Sequence, residues 1–292
     1  MLVWLLPLLF LAQPQDVQAE SITLQQADGS ELLLDQPART IITLSPHLAE
    51  LAFAAGVGEH VVATVEYSNY PAQAVDLPRV GDAFRLDLER ILSLQPELVI
   101  AWETGNPAMA IARLQELDIT TWVVEIRQPE EIASILQQMG AAGGNAQSGQ
   151  LAAQQARSRL QEIAQEGIGK PKVSYFYQVA ARPLFTLNGQ HLISQSLALC
   201  GGENVFADET VLAPQISLEA VIVRDPTVLF AAAVAGQPDP LAAWQEWPRM
   251  QAVKKQRLYP LPADEISRAT PRMLDAVATA CSLLHSQAKH IK

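Results

Sequence analysis

The side chains best suited to metal or nucleophilic chemistry are five histidines (His47, His60, His191, His285 and His290) and two cysteines, Cys200 and Cys281. The histidines have none of the spacings that grip a metal from one helix or loop. His47 and Glu50 lie three residues apart and could in principle share an ion, but such a pair at a helix start is usually solvated. Neither cysteine sits in a Cys-x-x-Cys or beside a histidine, so redox chemistry and zinc are not indicated. The sequence holds no Walker loop, no Gly-x-Ser-x-Gly elbow and no His-Glu-x-x-His. Gly56-Val-Gly58 lacks the third glycine of a dinucleotide fingerprint. Carboxylates are plentiful, yet an acid–base pair is defined by geometry rather than spacing. These absences favour binding over catalysis, with no metal and no cofactor expected. An exported α/β enzyme is the alternative from another class, because function resides in the site and not in the fold.

The aromatic residues are more informative. Tyr67 and Tyr70 lie in Glu66-Tyr-Ser-Asn-Tyr-Pro71, and Trp102 closes the apolar run Leu98-Val-Ile-Ala101. Phe84 precedes Leu86, and Phe185 stands in Arg182-Pro-Leu-Phe-Thr-Leu-Asn-Gly189. Asp264, Arg268 and Arg272 surround a loop-to-helix junction. Aromatic faces with a few polar groups at the C-terminal ends of parallel strands make an amphipathic pocket for a large, partly planar ligand. The plainer reading is core or rim packing for each aromatic. For Asp264 and Arg268 it is an i,i+4 surface ion pair worth up to ~0.5 kcal/mol.

The elements that position these groups follow from hydrophobic period and punctuation. Residues 40–44, 61–65, 98–102 and 121–124 read as short strands. Residues 46–55, 88–94, 108–117 and 130–139 read as helices, the first stopping at Gly56. A second series begins at Val173-Ser-Tyr-Phe-Tyr177 and ends in a helix over 271–285. Short apolar strands alternating with helices imply parallel sheets in βαβ units. Residues 145–166 read as one long helix with Gly167 placed to cap it. On pattern alone it bridges two domains or lies on the surface of one. Ser21 to Leu34 alternates about Asp28-Gly29, a hairpin signature.

The chain also repeats itself. Leu86-Asp-Leu-Glu-Arg-Ile-Leu-Ser-Leu-Gln-Pro-Glu-Leu-Val-Ile-Ala101 matches Ile216-Ser-Leu-Glu-Ala-Val-Ile-Val-Arg-Asp-Pro-Thr-Val-Leu-Phe-Ala231 at a constant offset of 130, placing Glu89 on Glu219. The segment from His47 to Glu59 matches that from His191 to Glu203 at offset 144. Two blocks in the same order indicate two lobes of similar build, and so long a period excludes a solenoid.

With 292 residues, 49% hydrophobic and 17% charged, the chain is long enough for two such lobes and too apolar for disorder. Its net charge of -11, with no basic run, argues against nucleic acid. Residues 1–19 carry an apolar run and a Val17-Gln-Ala19 cleavage pattern, a secretory signal without the usual leading base. No later run is long enough to span a bilayer. In an exporting compartment two cysteines favour one disulfide, the alternative being two buried thiols.

At Ile42-Thr-Leu-Ser-Pro46, Glu50-Leu-Ala-Phe-Ala-Ala-Gly56, Tyr67-Ser-Asn-Tyr-Pro71, Leu88-Glu-Arg-Ile91, Val99-Ile-Ala-Trp102, Cys200-Gly-Gly-Glu-Asn204 and Arg268-Ala-Thr-Pro-Arg272, the chain resembles the periplasmic cobalamin-binding proteins of ABC importers. These belong to a class that also binds haem and ferric siderophores. The resemblance runs from about Arg39 to the C-terminal helix. It implies an N-terminal α/β lobe over 20–144, a linking helix over 145–168 and a C-terminal α/β lobe over 169–292, with the ligand cleft between the Rossmann-like lobes. By motif, Tyr67 and Trp102 line one side of the cleft and Phe185, Asp264 and Arg268 the other, with Phe84 in the loop before Leu86 joining the first as a further aromatic face. The family's disulfide falls on Cys200 and Cys281. Its docking glutamates for the two halves of a membrane permease dimer fall on Glu89 and Glu219, the residues that the repeat superimposes. The expected protein is a soluble periplasmic monomer that delivers cobalamin or a related corrinoid, with haem or a ferric siderophore as the alternative ligand. Ala83 and Ala213 stand where relatives of this type can carry tryptophans. Phe84 can compensate at the first position; nothing in the sequence does so at the second.

Overall fold

A computed structural model describes residues 21–286, so the signal segment over 1–19 lies outside the described residues. The chain opens with an antiparallel hairpin, β1 (Ile22–Gln25) and β2 (Glu31–Leu34), turning at Asp28-Gly29 as the alternation requires. There follow β3 (Ile41–Thr43), α1 (Pro46–Ala54), β4 (Val61–Ala63), α2 (Ala72–Val75), α3 (Leu88–Ser93), β5 (Leu98–Trp102), α4 (Ala108–Glu116), β6 (Thr121–Val124) and α5 (Glu131–Ala142). The long helix α6 (Ala146–Gly167) comes next. Beyond it lie β7 (Val173–Gln178), a small hairpin of β8 (Ala180–Ala181) and β9 (Leu184–Phe185), α7 (Leu192–Leu199), β10 (Gly202–Asn204), α8 (Leu218–Arg224), β11 (Val228–Ala233), α9 (Gln251–Lys254), β12 (Leu258–Pro262), α10 (Ala263–Ile266) and α11 (Pro271–His285).

Two four-stranded parallel sheets result, ordered β4-β3-β5-β6 and β10-β7-β11-β12. Taking the sheet strands in chain order, both run 2-1-3-4, so the repeat read from sequence is a repeat of topology. The blocks 130 residues apart place α3 with β5 and α8 with β11 in equivalent positions. Each of these helices starts on a side-chain cap: Asp87 accepts the Arg90 N–H at 3.0 Å, and Ser217 accepts that of Ala220 at 3.1 Å.

Packing explains why the strands read as unbroken apolar runs. Along β5, Leu98 and Ile100 face one cluster while Val99 and Ala101 face another; Tyr175, Tyr177 and Phe176 of β7 divide in the same way. The inner cluster is shared by both lobes and passes through Ala153, Ala156 and Ile163 of α6. Asn145 caps α6 and also donates to the Gly56 carbonyl at 2.9 Å, tying the helix to the end of α1. Early in α6, Gly149 crosses Gly140 of α5 so closely that a Cβ on Gly149 would lie 2.8 Å from the Gly140 Cα.

One expectation fails. Gly167 is the last helical residue and not a left-handed cap, a conformation that Gly169 adopts with φ +72°. Gly167 is glycine for want of space, since a Cβ there would meet the Cys200 backbone at 2.7 Å. Cys200 in turn forms the expected disulfide with Cys281 of α11, Cα to Cα 5.8 Å. Among the described residues no helix is long and apolar enough to cross a membrane.

Candidate functional site

Trp102 ends β5, and its indole is fixed on three sides. Its Nε1–H donates to Glu125 Oε1 at 3.2 Å, and its ring meets His47 edge-to-face at 5.0 Å. Behind it lies Gly105, where a Cβ would come within 1.8 Å of the ring. The half-buried aromatic face is thus set before any ligand arrives.

Tyr67 stands just beyond β4 with left-handed backbone, φ +65°, and 78% of its surface exposed. Strain of this kind in a bulky residue persists only where the surroundings impose it. Here a file of hydroxyls does so: Thr43 Oγ1 donates to Thr64 Oγ1, and Ser68 Oγ pairs with Thr64 Oγ1, both at 2.9 Å. Ser68 is therefore anchored in the lobe while its neighbour Tyr67 is turned outward. Phe84 is also exposed, on a turn whose Asp82 carboxylate accepts the Phe84 and Arg85 N–H groups at 2.8 Å. Phe185 is half-buried at the end of the β8–β9 hairpin.

Asp264 and Arg268 form the i,i+4 pair, at 3.1 Å, but not as an isolated surface contact. Arg268 Nη1 donates to Glu50 Oε1 at 2.6 Å and Asn69 Oδ1 at 2.7 Å; Nη2 also reaches the Tyr67 carbonyl at 3.1 Å. Asn69 donates back to Asp264 Oδ2 at 2.8 Å. Arg272 adds two bonds to Glu50, at 2.8 and 3.1 Å, and lies over the Tyr70 ring at 3.8 Å. Two C-terminal-lobe guanidiniums thus converge on one N-terminal-lobe carboxylate whose side chain is only 2% exposed. Glu50 is not half of a metal pair with His47; it neutralises Arg268 and Arg272. Among the described residues no cluster of three or more His, Cys, Asp or Glu could hold a metal.

Between this clamp and a second interlobe bond, from Gln195 Nε2 to the Arg127 carbonyl at 2.8 Å, lies a cavity of ≈530 Å³. His47, Trp102 and Glu125 form its first wall, and His191, Leu212 and Ser267 its second. Leu212, 52% exposed beside Ala213, supplies apolar surface near the position that lacks a tryptophan. A larger hollow of ≈740 Å³ has walls from α1, α6 and α11 only, and no strand end reaches it. Burial, together with the nearby charge of Arg268, pushes the His47 pKa down to about 3; burial pushes that of His191 down to about 4. Both imidazoles are neutral at physiological pH.

The structure therefore brings Tyr67, Asp264 and Arg268 together and sets Trp102 in the wall of the adjoining cavity. Phe84 is on a neighbouring exposed turn, and neither Phe84 nor Phe185 lines that cavity. Glu89 and Glu219 are exposed in the first turns of α3 and α8. Sequence reasoning missed the roles of Glu50, Asn69 and His191. Glu50 and Asn69 stood inside quoted motifs, and His191 opened a repeated block.

Residues 41–265 match the family described as periplasmic binding protein. The chain is 39% identical over 249 residues to the vitamin B12-binding protein of Vibrio cholerae serotype O1, covering 85% of this chain and 90% of that protein. It is 35% identical over 251 residues to the vitamin B12-binding protein of Yersinia pestis, covering 86% and 88%. The crystal structure of the Vibrio cholerae periplasmic vitamin B12 binding protein BtuF superimposes with a TM-score of 0.79 at 38% identity, covering 87% of this chain and 99% of that one. The periplasmic heme-binding protein RhuT from Roseiflexus shares the fold, with a TM-score of 0.75 at 23% identity, covering 86% and 100%.

Proposed function

The chain belongs to the periplasmic binding protein family, and from that premise we propose that it captures cobalamin or a related corrinoid and delivers it to a membrane ABC importer. The observation that carries this reading is the interlobe cleft with aromatic surface at the strand ends: Trp102 preset in its wall and Tyr67 held outward beside the Arg268 clamp that bounds it. Likeness to the Vibrio cholerae and Yersinia pestis proteins supports the choice of corrinoid. Trp102 and Tyr67 supply apolar faces, Phe84 and Phe185 meet the parts of the ligand that extend beyond the ≈530 Å³ cavity, and Asp264 and Arg268 meet its amide periphery. Four of the five Arg268 N–H donors are already engaged, so the ligand takes them over by exchanging interlobe bonds for its own.

The role is binding, without catalysis or a resident cofactor, by a soluble monomer freed from its signal segment in the periplasm. Glu89 and Glu219 are the anchors for the two halves of a permease dimer. Exposed carboxylates at equivalent helix starts suit charge-assisted bonds to arginines on such a partner. Calorimetric titration with cyanocobalamin, haemin and a ferric siderophore in parallel tests the ligand. One-to-one binding of cyanocobalamin alone is expected; heat from haemin or the siderophore alone would move the ligand and keep the receptor.

A further inference from the structure

His47 and His191 occupy matching places in the two repeated blocks, 144 residues apart, one at the start of α1 and the other at the N-cap of α7. Both line the ≈530 Å³ interlobe cavity, from opposite lobes. His47 is only 9% exposed, and its Nδ1 pairs with Ser45 Oγ at 2.9 Å. His191 Nδ1 accepts the Ile193 N–H at 3.2 Å. Neither Nε2 has a hydrogen-bond partner among the described residues.

The local bonds decide the tautomers. A backbone N–H donates to His191 Nδ1, so the ring proton of this neutral imidazole is on Nε2. At His47, Ser45 Oγ already accepts the Leu48 N–H at 3.4 Å, so its hydroxyl proton is free to go to Nδ1. The reverse arrangement would leave that proton without an acceptor among the described residues. Both side chains therefore offer an Nε2–H. Metal coordination through Nε2 would require moving that proton and breaking the α7 cap, so these groups are built to donate. Two uncharged donors beside the Glu125 carboxylate favour neutral acceptors over anions.

We propose that His47 and His191 are a two-lobe pair of Nε2–H donors that hold carbonyl oxygens on the amide rim of the corrinoid. This rests on the corrinoid reading, and deepens it by adding a polar subsite beside the aromatic one. Each lobe contributes one donor, so the contact is complete only when the ligand bridges both.

The test is calorimetry with cyanocobalamin on the wild type, His47→Leu, His191→Leu and His47→Gln, with a melting curve for each. Each leucine variant should bind about three- to tenfold more weakly than the wild type, the range for loss of a neutral hydrogen bond. His47→Gln, which can return an N–H to the Nε2 position, should recover most of that loss. Leucine variants that melt and bind like the wild type would overturn the pair and leave the corrinoid reading standing. A wild type that does not bind cyanocobalamin would remove both. If the leucine variants melt early, imidazole ¹H–¹⁵N spectra of the wild type decide instead. Nε2–H signals that persist and shift on saturation support the pair, and signals that do not move overturn it.

Discussion

Tyr67 and Trp102 present aromatic surface in opposite ways, the first pushed out by a strained backbone and the second locked flat by its neighbours. If both faces meet the ligand, Tyr67→Ala and Trp102→Ala should each weaken cyanocobalamin binding by about tenfold, ~1.4 kcal/mol. Unchanged titrations would show that the pocket lies elsewhere. The histidines give a second prediction, for stability. Unfolded, they titrate near their ordinary value of about 6.5; folded, His191 does so at about 4 and His47 at about 3. Between those limits the unfolded chain binds more protons. Their stabilising contribution is therefore whole above pH ~6.5 and is lost as the pH falls towards the folded values, by at most ~1.4 kcal/mol per pH unit for each histidine. Denaturant melts at pH 7 and pH 5 should show this loss, and less of it in His47→Gln. Equal losses in the two proteins would contradict the burial of His47. Trp102, Asp264 and Arg268 could be singled out in sequence because residue type and motif announce them. Glu50 was not, since a carboxylate on a helix start looks solvated until Arg268 and Arg272, more than 200 positions away, are folded against it.

At the level of elements, those that fill the sheets were the easiest to read. Leu98–Trp102 and Thr121–Val124 have the bounds read from sequence, because parallel strands covered on both faces appear as short β-branched and apolar runs. The four-residue helices α2, α9 and α10 escaped notice. Tertiary bonds create elements of that size, as where the Gln251 N–H at the start of α9 finds Asp225 Oδ1 at 2.8 Å. Gly167 was misread for a related reason: local sequence cannot distinguish a glycine needed for its backbone from one needed for its missing Cβ. The disulfide joins the end of α7 to α11, 81 residues on, and loop closure on that scale is worth about 4 kcal/mol in the chain-entropy model. Changing Cys200 and Cys281 together to serine should lower the calorimetric melting temperature by several degrees. A melting point unaffected by the double change would mean that α7 and α11 are held by packing alone.

For the whole molecule, the two lobes share one core across α6, so they can rock but not swing apart without exposing Ala153, Ala156 and Ile163. That suits a receptor whose outer edges must present a fixed pair of contacts. On the proposed docking role, Glu89→Lys with Glu219→Lys should leave cyanocobalamin affinity within about twofold and abolish uptake in cells, because the charges lie outside the cleft. Uptake at the wild-type rate would dismiss these anchors. The matched topology has a further consequence. Each lobe carries its glutamate in the first turn of an equivalent helix, so the molecule offers the same local surface twice. A socket built of two like halves could take either glutamate in either half, and a choice of two poses is worth RT ln 2, about 0.4 kcal/mol. The unshared hairpins, β1–β2 on one lobe and β8–β9 on the other, are among the features that would distinguish front from back. If those two glutamates do anchor it, such a carrier would have two ways to land rather than one.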